Sequence, residues 1–136
     1  MSESGASRPS DEDLVEAARK AALRSHSPYS GFRVGAAVLA GDGRVVTSAN
    51  VENAAYPASQ CAEANAVNQA VVEGVGHLHT VAVACIDAAD LSGAYPCGRC
   101  RQIMSEFDVG RVLVATASGA VSSHSLDELL PHRFRM

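Results

Sequence analysis

Cys61-Ala62-Glu63 and Pro96-Cys97-Gly98-Arg99-Cys100 are the two stretches whose residue types and spacing suit chemistry. Each follows a turn and opens a predicted helix. A helix N-terminus presents unpaired N–H groups and about half a positive charge, which lowers a thiol's pKa and favours the thiolate that binds a metal. Thiolates from Cys61, Cys97 and Cys100 would hold Zn²⁺ tetrahedrally and leave one position open to water, the geometry of a catalytic rather than a structural zinc site. Glu63 is too close in sequence to Cys61 to bind the same ion readily. It can still reach the open position, where a carboxylate serves as general base.

Two plainer readings stand beside this one. Cys61 and the C-x-x-C pair could form a closed zinc staple with His26 or His79 as fourth ligand, leaving Glu63 a surface acid. Alternatively, Cys97 and Cys100 could be a redox pair. A 136-residue chain that is 47% hydrophobic can build a core without a metal, which weighs against the staple. The redox pair leaves the cysteine-x-glutamate element unexplained. Cys85 lies inside the apolar run Thr80–Ile86 and reads as a small buried thiol.

The elements that must position these groups follow from periodicity. Residues 1–10 carry no apolar period and read as an unstructured lead-in; residues 11–136 form one domain. Ser10 opens a capped helix over about residues 11 to 25, with Leu14, Ala18, Ala21 and Ala22 on one face. The valine- and alanine-rich segments 32–40 and 44–52 flank Asp42-Gly43 and read as a β-hairpin. A mostly buried helix over 61–73 stops at Gly74. A strand over 79–86, a helix over 97–107, a strand over 111–116, a fifth strand near 120–124 and a short helix over 125–131 complete the chain. Strands alternating with helices after a hairpin favour an α/β mixed sheet with helices on both faces.

Charge excludes some partners. The formal net charge is −4, with one lysine, Lys20, and no basic run, so neither nucleic acid nor an anionic membrane is expected. No apolar stretch approaches the ~18 residues of a membrane span, and residues 1–10 lack an apolar signal core. A cytoplasmic protein acting on a small soluble molecule is the expectation.

A ligand-x-Glu element followed by P-C-x-x-C is the signature of zinc nucleobase deaminases. Beyond that signature, "SPYSGFRVGAAVL", "NVENAAYP", "CAEANAV", "PCGRCRQIMSEF" and "LLPHRF" resemble the small cytidine deaminases across nearly the whole chain. The resemblance implies a three-layer αβα sandwich with a mixed five-stranded sheet and one Zn²⁺ per subunit on Cys61, Cys97 and Cys100. It implies that Glu63 shuttles protons while cytidine or deoxycytidine is hydrolysed to uridine or deoxyuridine and ammonia, in pyrimidine salvage. Asn50 and Glu52, two apart on a predicted strand and so facing one way, match the ribose-binding pair. Phe32 matches an aromatic lining the pyrimidine pocket. Tyr56 and Phe134 match contacts made across the interfaces of a homotetramer whose sites are completed by neighbouring subunits.

One departure bears on the zinc. The family commonly places Arg after the catalytic glutamate, where it hydrogen-bonds the thiolates; this chain has Ala64, followed by Asn65. Three thiolates on Zn²⁺ leave a net negative charge that makes bound water less acidic unless a cation or dipole draws it back. Arg99 and Arg101 are the candidates for that role. Ala64 also keeps open an alternative, deamination of a modified aminopyrimidine nucleoside or a nucleoside antibiotic of the blasticidin S kind. A non-catalytic zinc-stabilised binding domain is a further alternative, which Glu63 disfavours.

Overall fold

The computed structural model describes residues 8–136. Most of the expected lead-in therefore lies outside the described residues, although Arg8 already donates to the Gly41 carbonyl at 2.7 Å. Ser10 closes a capping box: its Oγ accepts from Asp13 N–H and its own N–H donates to the Asp13 carboxylate, both at 3.1 Å. That box starts helix α1 (Asp11–Ala22), with acids in its first turn and Arg19 and Lys20 in its last, both favourable to the helix dipole. The helix ends three residues before the expected position. Beyond Ala22 the chain is drawn into a bridge, with His26 N–H donating to the Asn50 carbonyl and Glu52 N–H to the His26 carbonyl.

Strands β1 (Val34–Ala40) and β2 (Val45–Ala49) form the expected hairpin. Helix α2 (Ala62–Val72) ends at Gly74, whose φ of +71° is a conformation glycine adopts without strain. Strand β3 (Leu78–Cys85), helix α3 (Gly98–Glu106), strands β4 (Arg111–Ala115) and β5 (Val121–Ser125) and helix α4 (Leu126–Leu129) follow. Single helical turns at Tyr56–Ala58 and Leu91–Gly93 precede α2 and α3.

The five strands form one sheet in the order β2-β1-β3-β4-β5. β3 and β4 are parallel and the other pairings antiparallel, so the sheet is mixed. Alternation along the strands separates its two faces. Ala37, Leu39, Ala82, Ala84, Leu113 and Ala115 pack against Leu14, Val15 and Ala18 of α1. Ala36, Val38, Val81, Val83, Val112 and Val114 pack against the opposite layer, where α2, α3 and α4 contribute Val67, Met104 and Leu126. Small residues let α1 come very close. A Cβ on Gly35 would fall 1.9 Å from the Ala18 carbonyl oxygen and 2.5 Å from the Ala22 nitrogen. Among the described residues no helix is long and apolar enough to cross a membrane.

One expected element is shorter than its pattern. β2 stops at Ala49, and Asn50 and Glu52 lie beyond it, where Val51 makes only isolated bridges to His26 and Gln60. The backbone N–H groups of Asn50 and Glu52 donate to the carbonyls of Val34 and His26, while the side chains find partners at the start of β1 and in the loop that precedes it.

Candidate metal centre and active site

Cys61 and Cys97 occupy the N-cap positions of α2 and α3. Both helices lie on the same face of the sheet, so the two starts converge. The sulfur atoms of Cys61, Cys97 and Cys100 all lie within 4.8 Å of one another, and the Cys61 and Cys97 sulfurs are 3.9 Å apart. Two thiolates bound tetrahedrally to zinc at about 2.3 Å sit about 3.8 Å from each other. The set therefore fits Zn²⁺. Among the described residues no histidine nitrogen or carboxylate oxygen joins the three sulfurs, so neither His26 nor His79 closes the site.

The three thiols differ in environment: Cys61 is half-buried, Cys97 exposed and Cys100 buried. The hydrogen bond from Cys100 is the chief cause holding the Cys61 thiol below its ordinary pKa, with Cys97 and the charge of Arg99 adding and burial opposing. Cys100 moves the other way, raised chiefly by the hydrogen bond it gives to Cys61 and by its own burial, with the charge of Glu63 adding. The Cys100 N–H also donates to Cys97 Sγ at 3.4 Å. Of the three sulfurs, Cys61 is the one drawn toward thiolate.

Glu63 stands in the first turn of α2 and is only 5% exposed. Burial pushes its carboxyl up to about 7, with the negative charge of Cys61 adding and a hydrogen bond from its own backbone N–H opposing. A carboxyl tuned to that range can both take and give a proton near neutrality. Glu63 lines a cavity of about 230 Å³ together with Phe32, Asn50, Cys61, Tyr95 and Cys97. Cys85 lines the same cavity, yet its thiol points to the Ala94 carbonyl at 3.5 Å and burial pushes it up to about 12. It remains a neutral thiol, as its apolar surroundings in the sequence suggest.

Asn50 and Glu52 are positioned by hydrogen bonds rather than by a shared strand face. Asn50 Oδ1 accepts from Val34 N–H at 2.9 Å and from the Ser25 hydroxyl, and its Nδ2 donates to the Phe32 carbonyl at 2.9 Å. One amide hydrogen remains for a ligand. The Glu52 carboxylate accepts from the Tyr29 and Ser30 N–H groups, each at 3.1 Å, and from the Ser30 hydroxyl. It lines a second cavity, of about 330 Å³, with Tyr29, Ser30, Tyr56 and Ser59. Strand alternation places both residues on one face; the loop geometry gives each its own cavity instead.

Tyr56 and Phe134 are 84% and 68% exposed; Gln102 Nε2 donates to the Phe134 carbonyl at 3.3 Å. Arg99 donates to Gln60 Oε1 at 3.0 Å, and its charge acts on Cys61. Arg101 instead spends its donors on the carbonyls of Pro96 and Leu129, at 2.8 and 2.5 Å, tying α3 to α4. Ala64 is fully buried in the core, and Asn65 donates to the Ala49 carbonyl at 2.9 Å. Sequence reasoning passed over Tyr95 as a wall of the first cavity. An aromatic directly before Pro96 and Cys97 was the available signal.

Comparison with known proteins accords with this geometry. The profile of the cytidine and deoxycytidylate deaminase zinc-binding region matches residues 8–116. The chain belongs to the cytidine and deoxycytidylate deaminase family. A cytidine deaminase of Sporosarcina psychrophila is 39% identical over 126 residues, spanning 90% of each protein. One of Mycobacterium tuberculosis is 43% identical over 117 residues, spanning 86% of this chain and 84% of that protein. The crystal structure of the Burkholderia pseudomallei cytidine deaminase superposes with a TM-score of 0.86 at 35% identity, covering 93% of this chain and all of that one. The mixed five-stranded sheet with helices on both faces is thus the architecture of this deaminase family, and the cysteine trio corresponds to its zinc-binding region.

Proposed function

We propose that the protein hydrolyses cytidine and deoxycytidine to uridine and deoxyuridine with release of ammonia. The observation that carries this reading is a buried glutamate beside three clustered thiols in one cavity. Zn²⁺ held by Cys61, Cys97 and Cys100 supplies a Lewis acid that makes water nucleophilic at neutral pH. The Glu63 carboxylate takes a proton from the attacking water and delivers it to N3 of the pyrimidine. It then takes the proton of the new C4 hydroxyl and gives it to the amino nitrogen; the C4 carbonyl forms as the C4–N bond breaks, so that water is consumed and ammonia leaves. Burial suits Glu63 to both directions of transfer, since it keeps the carboxyl near 7.

Phe32 offers a ring to the face of the base. Asn50, with one free amide hydrogen, and Glu52, with carboxylate lone pairs facing the second cavity, hold the sugar hydroxyls. Both side chains are fixed by hydrogen bonds within the protein before a ligand arrives, which lowers the ordering cost of binding. The exposed rings of Tyr56 and Phe134 support a homotetramer in which neighbouring subunits complete each site. Arg99 offsets the charge of the thiolates in place of the arginine absent at position 64. The balance of charge, −4 with no basic run, supports a cytoplasmic salvage enzyme that binds neither nucleic acid nor membrane.

A second reading, deamination of a modified aminopyrimidine nucleoside, draws on Ala64. The test is ammonia release from cytidine, deoxycytidine, cytosine, cytidine monophosphate and blasticidin S, with zinc content measured on the same sample. Conversion of neither free nucleoside removes the leading reading; conversion of the antibiotic alone selects the second. Glu63→Gln is expected to retain zinc and lose activity by about 10²- to 10⁴-fold.

A further inference from the structure

Tyr95 takes no part in the proton transfers, yet it lines the cavity that holds Glu63, Cys61 and Cys97. Several of its neighbours there, Ala62, Gly93 and Ala94, are small and offer little side-chain bulk of their own. Its backbone lies between the turn at Leu91–Gly93 and Pro96, whose carbonyl is held by Arg101. Its ring meets that of His124 edge to face, with centroids 5.4 Å apart and planes at 70°. This is a favoured arrangement of aromatic pairs.

His124 reaches this point from the edge strand β5. It pairs with Val112, whose side chain belongs to the core beneath α2 and α3, so it projects toward the layer that carries the site. Its Nε2 is hydrogen-bonded to Ser122 Oγ, two residues earlier on the same face of the strand. β5 lies beyond residues 8–116, the span matched by the family profile. The contact therefore ties the cavity to a segment that the matched region does not contain.

We propose that Tyr95, positioned by His124, is the wall of the base pocket that limits what the pyrimidine can carry at C5. The inference rests on the reading of this cavity as a nucleoside-deaminating site. In a planar pyrimidine, N3 and C5 flank C4. With C4 at the thiol cluster and N3 against Glu63 of α2, C5 turns toward the α3 side of the cluster. Tyr95 stands on that side, two residues before Cys97. Tyr95 touches substrate; His124 acts through it as a positioning residue.

The experiment compares kcat and KM for cytidine and 5-methylcytidine in the wild type and in Tyr95→Ala, Tyr95→Leu, His124→Ala and His124→Phe. Tyr95→Ala is expected to raise the ratio of kcat/KM for 5-methylcytidine over cytidine by roughly tenfold or more, the range that a methyl group commands in a fitted pocket. Its loss on cytidine should fall on KM more than on kcat. Tyr95→Leu and His124→Ala shift the ratio less in the same direction, and His124→Phe, which restores an aromatic edge, returns it toward the wild type. A ratio within about twofold of wild type in the Tyr95 variants that fold, and in His124→Ala, overturns the proposal. So does a loss of kcat on cytidine with no change in the ratio. Should Tyr95→Ala fail to fold, Tyr95→Leu and His124→Ala carry the same comparison. A zinc-containing wild type that converts neither nucleoside removes the underlying reading of the site, and this inference with it.

Discussion

Replacing Gly35 by alanine tests how closely α1 is pressed to the sheet. The added methyl would sit 1.9 Å from the Ala18 carbonyl oxygen and 2.5 Å from the Ala22 nitrogen, whereas ordinary contact begins at 3.4 Å. Restoring that distance asks for a separation of about 1.5 Å between helix and strand. Both obstacles are backbone atoms of a helix, so no rotamer change relieves them. Leu14, Val15 and Ala18 would all have to lift from Ala37, Leu39 and Leu113. Overpacking costs about 1–3 kcal/mol where side chains can adjust. Here the cost should reach about 3 kcal/mol, which lowers the melting temperature of a domain this size by roughly 10 °C. Thermal unfolding followed by far-ultraviolet circular dichroism reads the shift. Gly41→Ala is the control, because its methyl meets nothing nearer than 3.6 Å. A Gly35→Ala protein melting within about 3 °C of wild type would refute the close approach and the packing argument built on it.

The remaining predictions concern the charges. Arg99→Ala should weaken zinc binding by about tenfold to a hundredfold, the usual effect of removing a group just outside the ligands, as read by competition with a chromophoric chelator. Arg44→Ala, which loses the ion pair to Asp42 and a 3.4 Å hydrogen bond to the Gly74 carbonyl, should leave zinc affinity unchanged, and equal effects would count against Arg99 as the compensating charge. Asp87 accepts hydrogen bonds from the side chain and backbone N–H of Arg33, which together hold its carboxyl near 2 against an ordinary 3.8. A depressed folded-state pKa contributes stability that is fully present above the unfolded value and lost as pH falls through the folded one. The melting difference between wild type and Asp87→Asn should therefore be constant above about pH 4 and shrink toward zero near pH 2; a difference independent of pH across that window would sink the assignment.

Local signals proved reliable wherever the determining forces are themselves local. The capping box at Ser10, the stop at Gly74 and the hairpin at Asp42-Gly43 each depend on a few neighbouring backbone groups. The alternation of Ala36, Val38 and Ala37, Leu39 announces a strand buried on both sides. The thiol cluster was legible for a similar reason: Cys61 and Cys97 each mark a helix start, and a sheet with those helices on one face brings such starts together.

Partner choice among polar side chains was not legible. Alternation alone puts Asn50 and Glu52 on one strand face, but Asn50 finds Phe32 and Val34, and Glu52 finds Tyr29 and Ser30. Those partners are distant in sequence and become available only when the loop before β1 folds across the end of β2. Arg99 and Arg101 are near-equivalent in the C-x-x-C neighbourhood, yet one acts on Cys61 and the other is consumed by the carbonyls of Pro96 and Leu129. The meeting of Tyr95 with His124 joins a loop to an edge strand and has no local signature. By itself the sequence determined which elements form, where they begin, and which sulfurs and carboxyl meet, because backbone hydrogen bonding and apolar period act over a few residues. Only the tertiary structure decided which donors answer which acceptors and which rings wall the pocket, since those contacts depend on the packing of elements far apart along the chain.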